Sequence, residues 1–278
     1  MKITEFTKHQ EGEEIISKIE TRDINNNITE EIDFDENGQQ LLRITNEYNE
    51  KGKLLLITQY DEDNQLIEKK TIHYNSEGKE IGSETEFPDG SLTKEIHKIE
   101  GNSVTITTED EDGEFEGSVQ HILNDNHLTK ELIRTNFMGK VDYRLKYEYD
   151  ENQNTTKVIE QDPKGRFLKA YAYQYDENAN RTIEEELDKK DRPVSRIIHK
   201  YDGNLLKSTI TASESVHYHY ENNQIIKEEI LQPDGSADII KRTFENNKII
   251  NEKQYSIPQG ENTEEDFLIM EKRYLYEE

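Results

Sequence analysis

The chain of 278 residues contains no cysteine and no tryptophan, only five prolines, and no apolar run long enough for a signal-peptide core or a membrane span. Without cysteine there are no disulfides, no thiolate metal sites and no cysteine nucleophile. Basic residues are scarce: 35 Lys and Arg face 61 Asp and Glu, a formal net charge of −26. Such a chain repels phosphate backbones and anionic lipid, so neither nucleic acid nor membrane is the expected partner. Hydrophobic residues are only 31% of the total, too few by composition alone to offset chain entropy. No Gly/Ser linker or composition break divides the sequence, and a single cytoplasmic domain over residues 1–278 is expected.

Regular spacing overrules disorder. An aromatic residue followed by acidic or amide residues recurs at Phe34, Tyr48, Tyr60, Tyr74, Tyr149, Tyr175 and Tyr201, with Phe87, Tyr220 and Phe244 in looser copies. The steps Phe34 to Tyr60, Tyr48 to Tyr74, Tyr149 to Tyr175 and Tyr175 to Tyr201 are each 26 residues, and each step holds two units of one strand and one turn. All five prolines fall in the turn phase, four as Pro-x-Gly, and only Gly82 and Gly117 of the 14 glycines fall within strand segments. Runs such as Leu54-Leu55-Leu56-Ile57-Thr58 are rich in strand formers and too short for helices. The spacing therefore predicts an all-β, antiparallel up-and-down meander of roughly 20 strands, because connections of two to six residues join only antiparallel neighbours. Twist should coil it into a curved, spiral or open barrel-like wall. Doublets after the turns, such as Leu66-Ile67, Leu205-Leu206, Ile225-Ile226 and Ile249-Ile250, place one apolar side chain on each face, and charged stretches such as Lys227-Glu228-Glu229 suit cross-strand ladders. The repeated aromatics read as structural anchors stacking from repeat to repeat.

Asp162-Pro163-Lys164-Gly165-Arg166-Phe167 and Tyr175-Asp176-Glu177-Asn178-Ala179-Asn180-Arg181-Thr182 resemble the repeat of the YD-repeat (Rhs-type) family, the second with Ala179 in place of Gly. The looser pattern is clearest over about residues 30–250. The resemblance implies a spiralling β-sheet shell, a scaffold and not a reaction. The chain is shorter than family members that enclose a toxin, and Lys272-Arg273-Tyr274-Leu275-Tyr276-Glu277-Glu278 contains no self-cleaving segment or toxin domain. Short stand-alone proteins of this type resemble the neutralising partners found beside bacterial toxins.

Few residues suggest chemistry. Asp33-Phe34-Asp35-Glu36-Asn37-Gly38 begins like a calcium loop, but its twelfth position is Ile44 instead of Glu. It reads as a β-turn, as does Asp110-Glu111-Asp112-Gly113. His217-Tyr218-His219 puts two imidazoles on one strand face with no predictable third ligand. Hydrolase, metalloprotease and phosphate-loop motifs are missing, so no catalytic residue, metal or cofactor is expected. The step from Tyr201 to Tyr220 is only 19 residues, which makes Ser213, Glu214, His217 and His219 candidate partner contacts. The leading expectation is a monomeric, non-enzymatic scaffold whose acidic surface binds a basic protein, as an immunity protein binds a toxin. The alternatives are a structural shell that associates through free edge strands, and a carbohydrate- or calcium-binding repeat protein.

Overall fold

A computed structural model describes residues 1–10, 12–261 and 264–278. The described residues form 22 strands, from β1 (Lys2–His9) to β22 (Leu268–Glu277), and one short 3-10 helix, Glu265–Phe267. Every strand pairs antiparallel with the next in sequence, and β22 pairs back onto β1 over eight residues, Lys2↔Glu277 to His9↔Met270. The sheet is therefore curved into a barrel-like wall, as the turns predict, and the barrel is closed where the turns alone allowed an open or spiral form. Closure follows once the accumulated twist brings the two terminal strands into register, because pairing them satisfies both rows of edge amides.

At a spacing of about 4.8 Å, 22 strands give a circumference of roughly 106 Å and a width of about 34 Å before tilt. The interior is wide enough to stay wet. The accessible surface is 17632 Å², against about 12,400 Å² expected for a compact monomer of this mass. Among the described residues only Ala170, Leu187, Ile239 and Ile257 are buried hydrophobics. Low apolar content and a two-faced wet wall are thus the same fact seen in sequence and in structure.

Register divides the strand residues into two faces. In β6 (Leu66–Tyr74), Glu68, Lys70, Ile72 and Tyr74 are half-buried while Lys69 and His73 are exposed. In β22, Met270, Lys272, Tyr274 and Tyr276 are half-buried while Arg273, Leu275 and Glu277 are exposed. The half-buried series is the concave inner face, where side chains converge. Followed around the barrel through the pairings, that inner series holds every tyrosine except Tyr60 and Tyr255.

The anchors predicted from the 26-residue step are two interleaved sets on opposite ends of the barrel. Turns after even-numbered strands, together with both chain ends, form one rim; turns after odd-numbered strands form the far rim. Tyr48, Tyr74, Tyr149, Tyr175, Tyr201, Tyr220 and Phe244 lie on the first, and Phe34, Tyr60 and Phe87 on the far rim. On the first rim the tyrosines act as clamps between successive hairpins. The hydroxyl of Tyr48 donates to Ile28 O (2.9 Å), Tyr74 to Leu54 O (2.9 Å), Tyr149 to Thr129 O (2.7 Å) and Tyr175 to Thr155 O (2.8 Å), each 20 residues back. Tyr220 and Tyr276 do the same to Leu206 O and Ile249 O. The expectation of ring stacking does not include these hydroxyl bonds to backbone.

Most hairpins carry a bulge just after the turn. Seventeen of the 22 pairings shift register. Phe34 faces Gln40 and Asp33 faces Leu42, so Leu41 is the extra residue. Ile67, Ile226 and Ile250 are extra in the same way, and Leu205-Leu206 is followed by an extra Lys207. The doublets thus mark bulges, which break the alternation that one residue per face requires. Leu41, Ile67, Leu168, Val194 and Ile269, all bulge residues of the far rim, are left exposed.

The commonest turn closes with two backbone bonds, as from Asp35 N to Gln39 O (2.8 Å) and Gly38 N to Asp35 O (3.0 Å). Its fourth residue is left-handed, which Gly38 adopts freely but Ala179 (φ 61°) occupies at a cost. Gly82, within β7 (Glu80–Glu86), has φ 152°, and a Cβ there would lie 2.1 Å from Glu95 O.

Two stability predictions follow from these contacts. Tyr149→Phe and Tyr175→Phe each remove one clamp and should cost about 1 kcal/mol in denaturant unfolding; unchanged midpoints would refute the clamp. Ala179→Gly should stabilise by about 0.5 kcal/mol, whereas Gly82→Ala should destabilise by on the order of 2–3 kcal/mol, both read from the same titration.

Candidate functional site

Charged residues on the sheet faces are largely matched. On the inner face Arg242 joins Glu228 and Glu252, Lys70 pairs with Glu95 (3.0 Å) and Lys18 with Glu31 (2.9 Å). On the outer face Arg43 pairs with Glu30 (2.8 Å), Arg144 with Glu131 (3.1 Å) and Lys253 with Glu271 (3.6 Å). The ladder expected around Lys227 is there in extended form: Lys227 meets Glu229 (2.6 Å) and Glu264 (3.5 Å), Glu264 reaches Lys241, and Glu229 meets His219 (2.8 Å). The outer face also carries Lys69, Lys146 and Lys200, all exposed.

The acid excess therefore resides in the turns, and it is unevenly spread. Four consecutive far-rim turns, residues 35–39, 61–65, 87–91 and 110–114, contain acidic residues and no Lys or Arg. Glu36, Glu62, Asp63, Asp89, Asp112 and Glu114 in them are exposed. The next three turns of the same rim, 136–140, 162–166 and 188–192, bring Lys140, Lys164, Lys189 and Lys190, all exposed. Between the two arcs Phe137 (64% exposed) and Met138 (57%) project from one turn, and Phe115 (37%) begins the strand beside it.

The first aspartate of each turn is committed to its own loop. Asp35 Oδ1 accepts from the backbone N of Asn37 (2.9 Å) and Gln39 (2.7 Å), and Asp110 Oδ1 accepts from Asp112 N (3.1 Å) and Glu114 N (2.8 Å). Asp33, the other lead position of the calcium-like stretch, lies 3.7 Å from Lys18. These oxygens face their own backbone or a lysine. Among the described residues no group of three or more His, Asp or Glu is arranged to hold a metal ion.

Ser213 and Glu214 lie in the far-rim turn between β17 (Leu205–Ile210) and β18 (Ser215–Glu221), where Thr211 Oγ1 accepts from Ser213 N (3.2 Å) and Glu214 N (3.1 Å). His217 and His219 share the outer face of β18, and Glu229 sits opposite His217 in register while bonding His219. The irregular step exposes no edge, because β17 is paired on both sides. Sequence reasoning missed the division of the far rim into arcs; its signal was in the contrast of Asp61-Glu62-Asp63-Asn64-Gln65 with Asp188-Lys189-Lys190-Asp191-Arg192, half a barrel apart in the chain.

No protein-family model and no curated protein matches the sequence. Solved structures with related folds include a porin-like protein from Bacteroides uniformis ATCC 8492, at 12% identity and TM-score 0.36, covering 99% of this chain and 96% of that one. They also include Tc toxin components. A TcdB2-TccC3-Cdc42 structure matches at 11% identity and TM-score 0.31 over 94% of this chain and 19% of that one. The Photorhabdus luminescens Tc holotoxin pore matches at 11% identity and TM-score 0.22 over 86% and 16%. The chain spans less than a fifth of each toxin chain. Likeness at this level is to β-architecture in outline and carries no argument about activity.

The turn carboxylates set the acid limit of stability. The Arg192 side chain, then backbone N–H groups of Arg192 and Lys190, hold Asp188 down at about 2. Backbone and side-chain hydrogen bonds likewise lower Asp23, Asp35, Asp89, Asp150, Asp162, Asp176 and Asp234 below their ordinary 3.8. A depressed folded value means that the contribution is complete above the unfolded value and is lost as pH falls through the folded one. Asp188→Ala should therefore lower Tm at pH 5, and the difference from the unaltered protein should narrow as pH falls from about 4 through about 2. A gap as wide at pH 2 as at pH 5 would contradict this account.

Proposed function

We propose that the chain is a non-enzymatic, soluble, cytoplasmic binding scaffold whose acidic far-rim arc receives a basic protein, in the manner of a neutralising partner for a basic toxin. The observation that carries this reading is the run of four consecutive turns, residues 35–39 to 110–114, with no basic residue to balance them. Balanced ladders on both sheet faces leave the turns as the place where unmatched charge meets solvent. A concentrated potential of this kind accelerates encounter with a basic partner and rejects acidic ones. Exposed lysines along the outer wall favour water over lipid there, since a lipid-facing barrel pays about 2–4 kcal/mol for each such charge at the bilayer midplane.

A structural shell built by edge-to-edge strand addition is less favoured, because β1 and β22 complete each other. Affinity capture tests the reading, with the protein compared against a variant carrying Glu36→Gln, Glu62→Gln, Asp63→Asn and Asp112→Asn. A basic protein should be retained by the unaltered scaffold at low salt, released at high salt and lost from the variant. Equal retention by both proteins, or no basic protein on either, would reject the acidic arc as the binding surface.

A further inference from the structure

One strip of the far rim, from the turn at 61–65 to the turn at 188–192, is self-complementary. Following its turns in order, an acidic arc (35–39 to 110–114) is followed by Phe115, Phe137 and Met138, and then by an arc bearing Lys140, Lys164, Lys189 and Lys190. We infer that the far rim docks a second copy of this chain, through a two-fold axis in the rim plane passing at Phe115, Phe137 and Met138. Such an axis reflects the rim onto itself about that point, so the acidic turns 61–65, 87–91 and 110–114 lie on the other copy's lysine-bearing turns 188–192, 162–166 and 136–140, and the three apolar side chains meet around the axis. This is the arrangement that a two-fold interface demands, since one patch must complement itself.

Three features support a second copy over an unrelated partner. Phe115, Phe137 and Met138 are residue types enriched at interface centres, and here charged arcs flank them on both sides. Lys140, Lys164, Lys189 and Lys190 have no ion pair among the described residues, although acidic residues outnumber them throughout the chain. Arg166 and Arg192, in contrast, are bound within their own turns by Asp162 and Asp188. The strip from the turn at 61–65 to the turn at 188–192 spans about 50 Å at strand spacing, compatible with an interface of roughly 800 Å² per partner.

Whole-molecule repulsion opposes this contact, because each copy carries −26. At 0.15 M salt the screening length is about 8 Å, so distant repulsion fades while contact pairs survive. Association should therefore be weak in very low salt, strongest near physiological salt and weakened again at 1 M. The inference shares the acidic arc with the proposed function but not its partner, and it is tested on the purified chain alone.

Sedimentation equilibrium over a wide concentration range should show a monomer–dimer equilibrium toward twice the 32.7 kDa chain mass. One variant makes both facing arcs basic (Glu62→Lys, Asp63→Lys, Glu111→Lys, Asp112→Lys, Glu114→Lys, which turn the −8 of turns 61–65, 87–91 and 110–114 into +2) and another makes both arcs acidic (Lys164→Glu, Lys189→Glu, Lys190→Glu). Each alone should raise the dimer dissociation constant by at least about tenfold, while an equimolar mixture should form a heterodimer at least as tight as the unaltered one. Met138→Ser should also weaken the dimer. All substitutions are at exposed positions, and unchanged thermal unfolding verifies the fold of each. A strict monomer at all concentrations and salts, a dimer indifferent to the charge changes, or a mixture that stays monomeric would overturn the inference.

Discussion

The pairing of the first strand with the last is the contact on which the rest of this molecule depends. Eight residues of β1 lie in unbroken register with β22, reinforced by Lys272 on Glu5 (3.0 Å) and by the Arg273 guanidinium 3.9 Å from the Phe6 ring centroid. An open sheet of 22 strands would present two long unpaired edges and would invite addition of further strands. Closed, it leaves no unpaired edge strand among the described residues, whose irregular backbone lies in the two rings of turns. Everything that distinguishes one region of this protein from another is consequently displayed at the rims.

Closure also explains how so little hydrophobic residue suffices. A barrel this wide cannot fill its interior with side chains, so cohesion comes from backbone ladders and half-buried pairs on two wet faces, not from a dry core. The tyrosine clamps add a second tier: each ties one hairpin to the carbonyl of the hairpin before it, at the end where the two are not joined by a turn. Bulges after the turns sharpen local twist, and about half of them leave an apolar side chain outside the alternation. Val194, 67% exposed, is the extreme case.

Charge follows the same division. Along the walls, strand neighbours of opposite sign are about 5 Å apart and neutralise one another; in the acidic arc, Glu36, Glu62, Asp63, Asp112 and Glu114 have no ion pair among the described residues. The far rim thereby collects an acidic arc, an apolar centre and a lysine-bearing arc, which are the ingredients of recognition. On the two proposals a basic protein and a second copy of the chain would both use the acidic arc, so self-association and partner binding would compete for one surface.

Strand count, antiparallel order and turn positions were all legible in the sequence, because Gly, Pro and Asp in the turns and alternating strand formers between them act over a few residues. So were the strand-interior positions of Gly82 and Gly117. The aromatic step of 26 was legible as a period but not as two rings, since it does not say which end of a strand an anchor occupies. Closure, the inner placement of the tyrosines, the bulges behind the apolar doublets and the grouping of turns into arcs were decided only by the tertiary structure. These depend on accumulated twist and on register carried around the whole barrel, and each brings together residues far apart in the chain, such as Glu62 and Lys189 on one rim or Lys2 and Glu277 in one pair.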